Sequence, residues 1–231
     1  RYEFSEVSQT LHHFCVDDLG SFYLDIIKDR QYTLKAESHA RKSCQTVLYW
    51  ITDALVRWMA PILSFTAQEI WEAMPGERPH RFVFAVTEAE IPKAGRRAEV
   101  NWSLIQSAKR VVNQAIEAAR SDGLVKGSLS AEVELFAAGP IFDALAALGE
   151  ELRFVTITSE ATLGRLKEAP DQAISDSTCP NLSVVVKVAE TEKCERCWHH
   201  RLDVGSVRAH PTLCKRCVDN IEGAGEERTF A

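Results

Sequence analysis

Cys194-Glu-Arg-Cys197, then sixteen residues, then Cys214-Lys-Arg-Cys217 is the arrangement in this sequence with the most defined chemistry. A Cys-x-x-Cys turn presents two sulfurs to one ion, and two such turns complete a tetrahedron. With four protein thiolates no position stays open for water or substrate. One structural Zn2+ on Cys194, Cys197, Cys214 and Cys217 is therefore expected, not a catalytic one. The roughly thirty residues around the motif hold few large apolar side chains, and chains below ~40 residues seldom bury an adequate core. Structural zinc contributes an apparent ~10 to 16 kcal/mol at neutral pH, so the tail is expected to unfold without it. Two other readings of the residues stay open. A redox dithiol needs only one Cys-x-x-Cys pair, and a mixed site would draw on His199, His200 or His210, which read better as surface residues.

Around the cysteines, Arg196, Arg201, Arg208, Lys215 and Arg216 face Glu195 and Asp203, five positive charges less two negative, or +3. A zinc with four thiolates adds −2, leaving about +1. Trp198 follows the second cysteine, and an aromatic beside arginines can stack on an unpaired base. It can equally cover the zinc loops as the module's small core, with the arginines merely solvating it.

The whole chain carries a net charge of −6, which argues against binding nucleic acid by bulk electrostatics; any RNA contact must be local. Its 231 residues, 45% of them apolar, suffice for one large domain or two ordinary ones. No apolar run approaches the roughly 18 residues that suggest a membrane span, and no signal segment opens the chain. Cys15, Cys44 and Cys179 stand alone, a poor disulfide framework, so a cytoplasmic protein without membrane contact is expected. Arg1 opens patterned sequence without an initiator methionine, which reads as a piece of something longer.

The elements that must position the module are mostly helical. Val7, Leu11, Phe14, Leu19, Phe22, Ile26 and Ile27 make one stripe of a long helix, and Val47, Leu48, Ile51, Leu55, Trp58 and Met59 another, interrupted at Pro61. Trp58 and Trp71 read as core. Thr66 with Glu69 has the form of a capping box that starts a helix through Ile70 and Trp71. Residues 75 to 97 read as a long connection. Trp102, Ile105, Val112, Ala115, Ile116 and Ala119 predict a fourth helix closing near Gly123, and the four could form a bundle. Then the period changes. Val133 and Leu135 alternate with Glu132 and Glu134, Phe154 to Thr158 is β-branched, and Leu182 to Val188 is valine-rich, so three strands are expected with a short helix at Ile141 to Leu148.

CERCWHHRLDVG at 194 to 205 and HPTLCKRCVDN at 210 to 220 resemble the C-terminal zinc module of bacterial-type isoleucyl-tRNA synthetases. GSFYLDIIKDRQYT at 20 to 33 and ALVRWMAPILSFTAQEIW at 54 to 71 resemble their helical anticodon-binding domain, and VVNQAIEAARSDGLVKGSLSAEV at 111 to 133 the segment that follows it. The resemblance covers nearly the whole chain. It departs at Lys126 and Lys215, where glycine is common in the family, and at His200, where tyrosine is usual. It implies a mainly α architecture: a helical bundle of class Ia synthetase anticodon-binding type (1-123), a small α/β subdomain (124-189) and a four-cysteine zinc module (190-231). It implies the tRNA-recognition part of an isoleucine-tRNA ligase, a monomer whose partners are tRNA(Ile) and the enzyme's own catalytic and editing domains. The HIGH and KMSKS signatures of the ATP site are absent from these residues, so no aminoacylation by this piece alone is expected. On that resemblance Arg196 would meet a phosphate or base edge and Trp198 would stack, with Lys215 and Arg216 beside them. Lys28, Asp29 and Arg30 could serve RNA too, but read better as a solvated helix end closed by local ion pairs. The alternative function is a zinc-stabilised protein-docking module that touches no nucleic acid.

Overall fold

The computed structural model describes residues 3–86, 89, 91–92 and 100–231. Contacts divide the chain into two compact units, Arg1–Leu24 with Arg41–Arg97 and Asp25–Ala40 with Ala98–Ala231. About half of the chain is helical, with one small sheet and a cysteine cluster.

The first stripe does not make one uniform helix. Helix α1 (Phe4–His13) passes into a wider π-wound stretch, Phe14–Tyr23, then α2 (Leu24–Ile26) and α3 (Lys28–Thr33). In π winding each carbonyl faces the amide five residues on. A Cβ on Gly20 would lie 2.9 Å from the Cys15 carbonyl oxygen five residues back, so glycine is what this winding accommodates there.

In the first unit, α4 (His39–Met59) stops before Pro61, as the missing backbone donor dictates. Its buried Val56, and Ala60 just beyond its end, pack with Ala67 and Trp71 of α5 (Ser64–Ala73) and with Met74 and Val83. The Trp71 indole donates to the His80 carbonyl (3.0 Å), and the Arg57 and Arg78 guanidiniums each lie 5.1 Å from its ring centroid. Trp71 is core, but Trp58 is 42% exposed. Two helical positions are about 200° apart, so a residue midway between Val56 and Ala60 points away from the face they bury. The capping box at Thr66 and Glu69 is not formed: the N-cap position is three residues earlier, at Leu63, and the Ser64 hydroxyl donates to the Ala60 carbonyl. The start of the expected long connection is pinned, since Gln68 donates to the Arg81 carbonyl, accepts from the Val83 amide, and Val83 is fully buried. The rest of that connection at residues 93–97, Gly95 included, lies outside the described residues.

In the second unit, α6 (Trp102–Ser121) is capped by the Asn101 side chain, which accepts from the Leu104 amide. Its buried stripe of Ile105, Ala108, Val112, Ala115 and Ile116 packs on the sheet and on α7 (Pro140–Ala146) and α8 (Leu152–Thr156). The fourth expected helix thus belongs with the sheet.

That sheet has the order β2-β1-β4-β3, with β1 Ala131–Ala137, β2 Glu160–Arg165, β3 Ile174–Ser175 and β4 Leu182–Val188. Along β1 the alternation read from the sequence holds: Ala131, Val133, Leu135 and Ala137 are buried and the residues between them half-exposed. β1 and β2 are parallel, joined over α7 and α8, while β4 runs antiparallel to both β1 and β3.

The expected strand at Phe154 to Thr158 is instead the end of α8. Its β-branched residues fill the interior from a helix, the Thr156 hydroxyl bonds back to the Leu152 carbonyl, and Ile157 ends the turn in the left-handed region (φ 60°). The true second strand is Glu160–Arg165, whose EATLGR carries little β signal of its own. Among the described residues no helix is long and apolar enough to cross a membrane.

Candidate metal centre and its exposed face

The sequence 193–200 folds into a tight knuckle. The Cys194 amide donates to the His199 carbonyl and the Trp198 amide to the Cys194 carbonyl, both at 2.9 Å, and Lys193 and His200 form a β-bridge. Such closure forces one residue into the left-handed region, and that residue is Trp198 (φ 66°). The second pair sits at the start of α9 (Lys215–Ile221), with Cys214 as its N-cap residue. Two contacts register the loops: Glu195 donates its amide to the Thr212 carbonyl, and the Cys214 amide donates to the Cys194 sulfur at 3.3 Å. Gly205 (φ 75°) is required where its amide meets the Leu213 carbonyl, because a Cβ there would lie 2.9 Å from the Pro211 oxygen.

The outcome is four buried sulfurs within 4.8 Å of one another, covered by Val204 and Leu213. So close a set cannot hold four negative charges by itself. Hydrogen bonds from Cys214 and Cys217 hold the Cys197 thiol far below its usual range. In return, donation to Cys197 pushes Cys214 up to about 12 and raises Cys217 further. A soft divalent cation replaces those shared protons, and four thiolates in a closed shell suit zinc.

Among the described residues no histidine joins the cluster. His199 is not a surface residue as the sequence suggested. It is 2% exposed, edge-on to Phe154, with Nδ1 at 3.2 Å from the Cys197 carbonyl and 3.9 Å from an Asp29 oxygen. His200 turns its Nδ1 to the Thr191 carbonyl and donates its amide to the Ser159 hydroxyl, both at 2.6 Å. His210 pairs with Glu222 at 2.8 Å.

The four residues expected at RNA divide between two faces. Arg216 turns inward, its guanidinium gripping both Asp29 oxygens (2.6 and 2.8 Å) and Glu226 (2.9 Å). Arg228 joins the same two carboxylates, and its guanidinium carbon lies 3.2 Å from the Phe154 ring centroid. Arg196 is half-buried and donates to the Thr33 carbonyl at 2.6 Å. Outward stand Lys215, exposed and with its amide donating to Asp203, and Trp198, which is 58% exposed with the Lys193 ammonium 5.4 Å from its ring centroid.

Trp198 lines a 610 Å³ cleft together with Tyr32, Arg196, Lys28, Phe154 and Leu129. One residue here was not singled out in the sequence and another was read differently. Tyr32 is strongly exposed across this cleft, within the KDRQY run of α3. Asp29 is a nearly buried hub of arginine pairs, not part of a solvated helix end; Lys28 makes a local pair, with Asp25 at 2.7 Å. Burial would raise the Asp29 carboxyl, but the hydrogen bond and charge of Arg216, then Arg228 and His199, outweigh it and hold it down to about 2.

Residues 1–135 match the model of a family described as the anticodon-binding domain of tRNA ligase. The chain belongs to that anticodon-binding family. Residues 192–220 match a second model, described as a zinc finger found in FPG and IleRS. Family and four-sulfur cluster agree, and the module is a structural zinc site. Over its whole length the chain is 53% identical to an isoleucine-tRNA ligase of Alcanivorax borkumensis, 52% to one of Shewanella woodyi and 50% to one of Shewanella baltica. It spans about a quarter of the length of these curated relatives, 25% in each case.

Proposed function

We propose that this chain is the tRNA-recognition part of an isoleucine-tRNA ligase, acting in the cytoplasm as part of a monomeric enzyme. The whole enzyme would join L-isoleucine to tRNA(Ile) at the expense of ATP, with the aminoacylation and editing sites in its other domains. Cys194, Cys197, Cys214 and Cys217 ligate the zinc. Along the chain the three working parts are a helical part of class Ia type over 1-123, whose last helix α6 packs on the sheet, a small α/β subdomain over 124-189 and the zinc module over 190-231.

One observation carries the RNA reading. An indole is held outward from a knuckle that would close more easily around glycine, and it stands on a cleft with Tyr32 and Arg196. A left-handed non-glycine residue costs on the order of 1 to 3 kcal/mol and points to a role for what it presents. Proteins reach base edges and faces in single-stranded loops, and anticodon nucleotides are such a loop. Trp198 stacks on one of those bases, while Arg196 supplies positive charge in the cleft and Lys215 stands exposed on the same module. Arg216 acts indirectly, by fixing α9 against α3.

The inward contacts of Arg196 and Arg216 also bear on the docking alternative. The module's inner face is already occupied by α3 of the same chain, which leaves the Trp198 face for an outside partner. Replacing Trp198 with Ala tests the reading. Affinity for tRNA(Ile) should fall by ~1 to 3 kcal/mol with zinc content unchanged. Unaltered affinity with full zinc content would refute base stacking by this residue.

A further inference from the structure

Lys109 lies in the middle of α6 and is only 5% exposed. Among the described residues its ammonium has no hydrogen-bond or ion-pair partner. The one charge that bears on it is Asp25, itself bound to Lys28 at 2.7 Å. Burying an unpaired ammonium is costly, and here burial pushes its pKa down to about 8, with Asp25 opposing. Its surroundings are a cleft of 430 Å³ that Asn113, Arg120 and Ser128 also line. Lys109, Asn113 and Arg120 are four and seven positions apart in turn, one face of the helix. The acidic groups facing the cleft are Asp25 and Glu117, the latter paired with Arg120 at 3.3 Å. The lining holds two cations and two carboxylates, but both carboxylates are already engaged, Asp25 by Lys28 from outside the cleft and Glu117 by Arg120, which leaves the Lys109 ammonium as the unmatched charge. It neighbours the Trp198 cleft, since Asp25, Ser128 and Ile157 line both.

We propose that this cleft is a phosphodiester site, in which Lys109 and Arg120 hold one backbone phosphate of the RNA whose unpaired base stands at Trp198. Asn113 and Ser128 offer neutral donors to the remaining phosphate oxygens. The inference rests on the RNA reading above and adds a place for the backbone next to the place for the base. Holding backbone and base in neighbouring clefts restricts how the loop can lie, because phosphate contacts set register while base contacts discriminate.

The test is the salt dependence of tRNA(Ile) binding by the zinc-loaded chain and by Lys109→Met and Lys109→Arg. Methionine keeps the length of the side chain and removes a desolvated charge, so the fold should persist. Lys109→Met should bind several-fold more weakly at low salt, with the slope of log K against log salt reduced by roughly 0.7 to 0.9, the share of one phosphate. Lys109→Arg should keep the slope. A folded Lys109→Met with unchanged slope would overturn the phosphate site while leaving the RNA reading intact. No tRNA binding by the unsubstituted chain would overturn both. A second measurement needs no variant: acylation of Lys109 at pH 8, read by mass spectrometry, should be suppressed by tRNA. Equal labelling with and without tRNA, or suppression by inorganic phosphate but not by tRNA, would also overturn the assignment.

Discussion

Trp198 keeps a left-handed backbone that glycine would adopt without strain, so removing its side chain separates stability from binding. Trp198→Gly is expected to melt at the same temperature or higher while tRNA affinity drops roughly 5- to 150-fold; a lower melting temperature would show that the indole is part of the module's core. Asp29 sets a pH dependence. Its carboxyl is ordinarily near 3.8 and is held at about 2 in the fold. A depressed value adds stability that is fully present above the ordinary one and is lost as pH falls through the folded one, here between about 4 and 2. The loss should be on the order of 2 kcal/mol, and Asp29→Asn should flatten it in acid unfolding curves. At neutral pH the same change should cost on the order of 2 kcal/mol, because it leaves Glu226 as the carboxylate shared by Arg216 and Arg228. The four cysteines were legible because ligand spacing is local, each pair closing one turn. Asp29 was not, because its partners lie 187 and 199 residues away and no short window contains them.

Helices with a single apolar stripe were legible. α4 and α6 appear where their period and their Pro61 and Gly123 boundaries put them, since one stripe has only one face to bury. Packing overrode local preference elsewhere. The β-branched run Phe154 to Thr158 became a helix end because it must cover the sheet from one side, and the weakly patterned EATLGR became a strand because β1 offers it a parallel edge. The π-wound stretch left no signature beyond one glycine, whose meaning depends on a carbonyl five residues away. Ile105 is fully buried where α6 packs on the sheet. Ile105→Ala should lower the free energy of unfolding in urea by ~2 to 5 kcal/mol without altering zinc content, and a change under about 1 kcal/mol would mean that this helix face is not the core described.

At the scale of the molecule, an acidic chain binds RNA only if its few local cations are well placed, and in the function proposed the zinc module is the device that places them. Stripping the metal with a chelator should abolish amide-exchange protection over 192–220 while β1 and β4 stay protected, since the sheet has its own core and the module has little beyond its sulfurs. The central claim is that the zinc module reads the anticodon loop. Its most direct test is the binding of the zinc-loaded chain to tRNA(Ile) and to the same transcript with one anticodon base changed, at two salt concentrations. Both affinities should fall with salt, and the unaltered transcript should bind more tightly at each; equal binding of the two transcripts, or binding indifferent to salt, would contradict it.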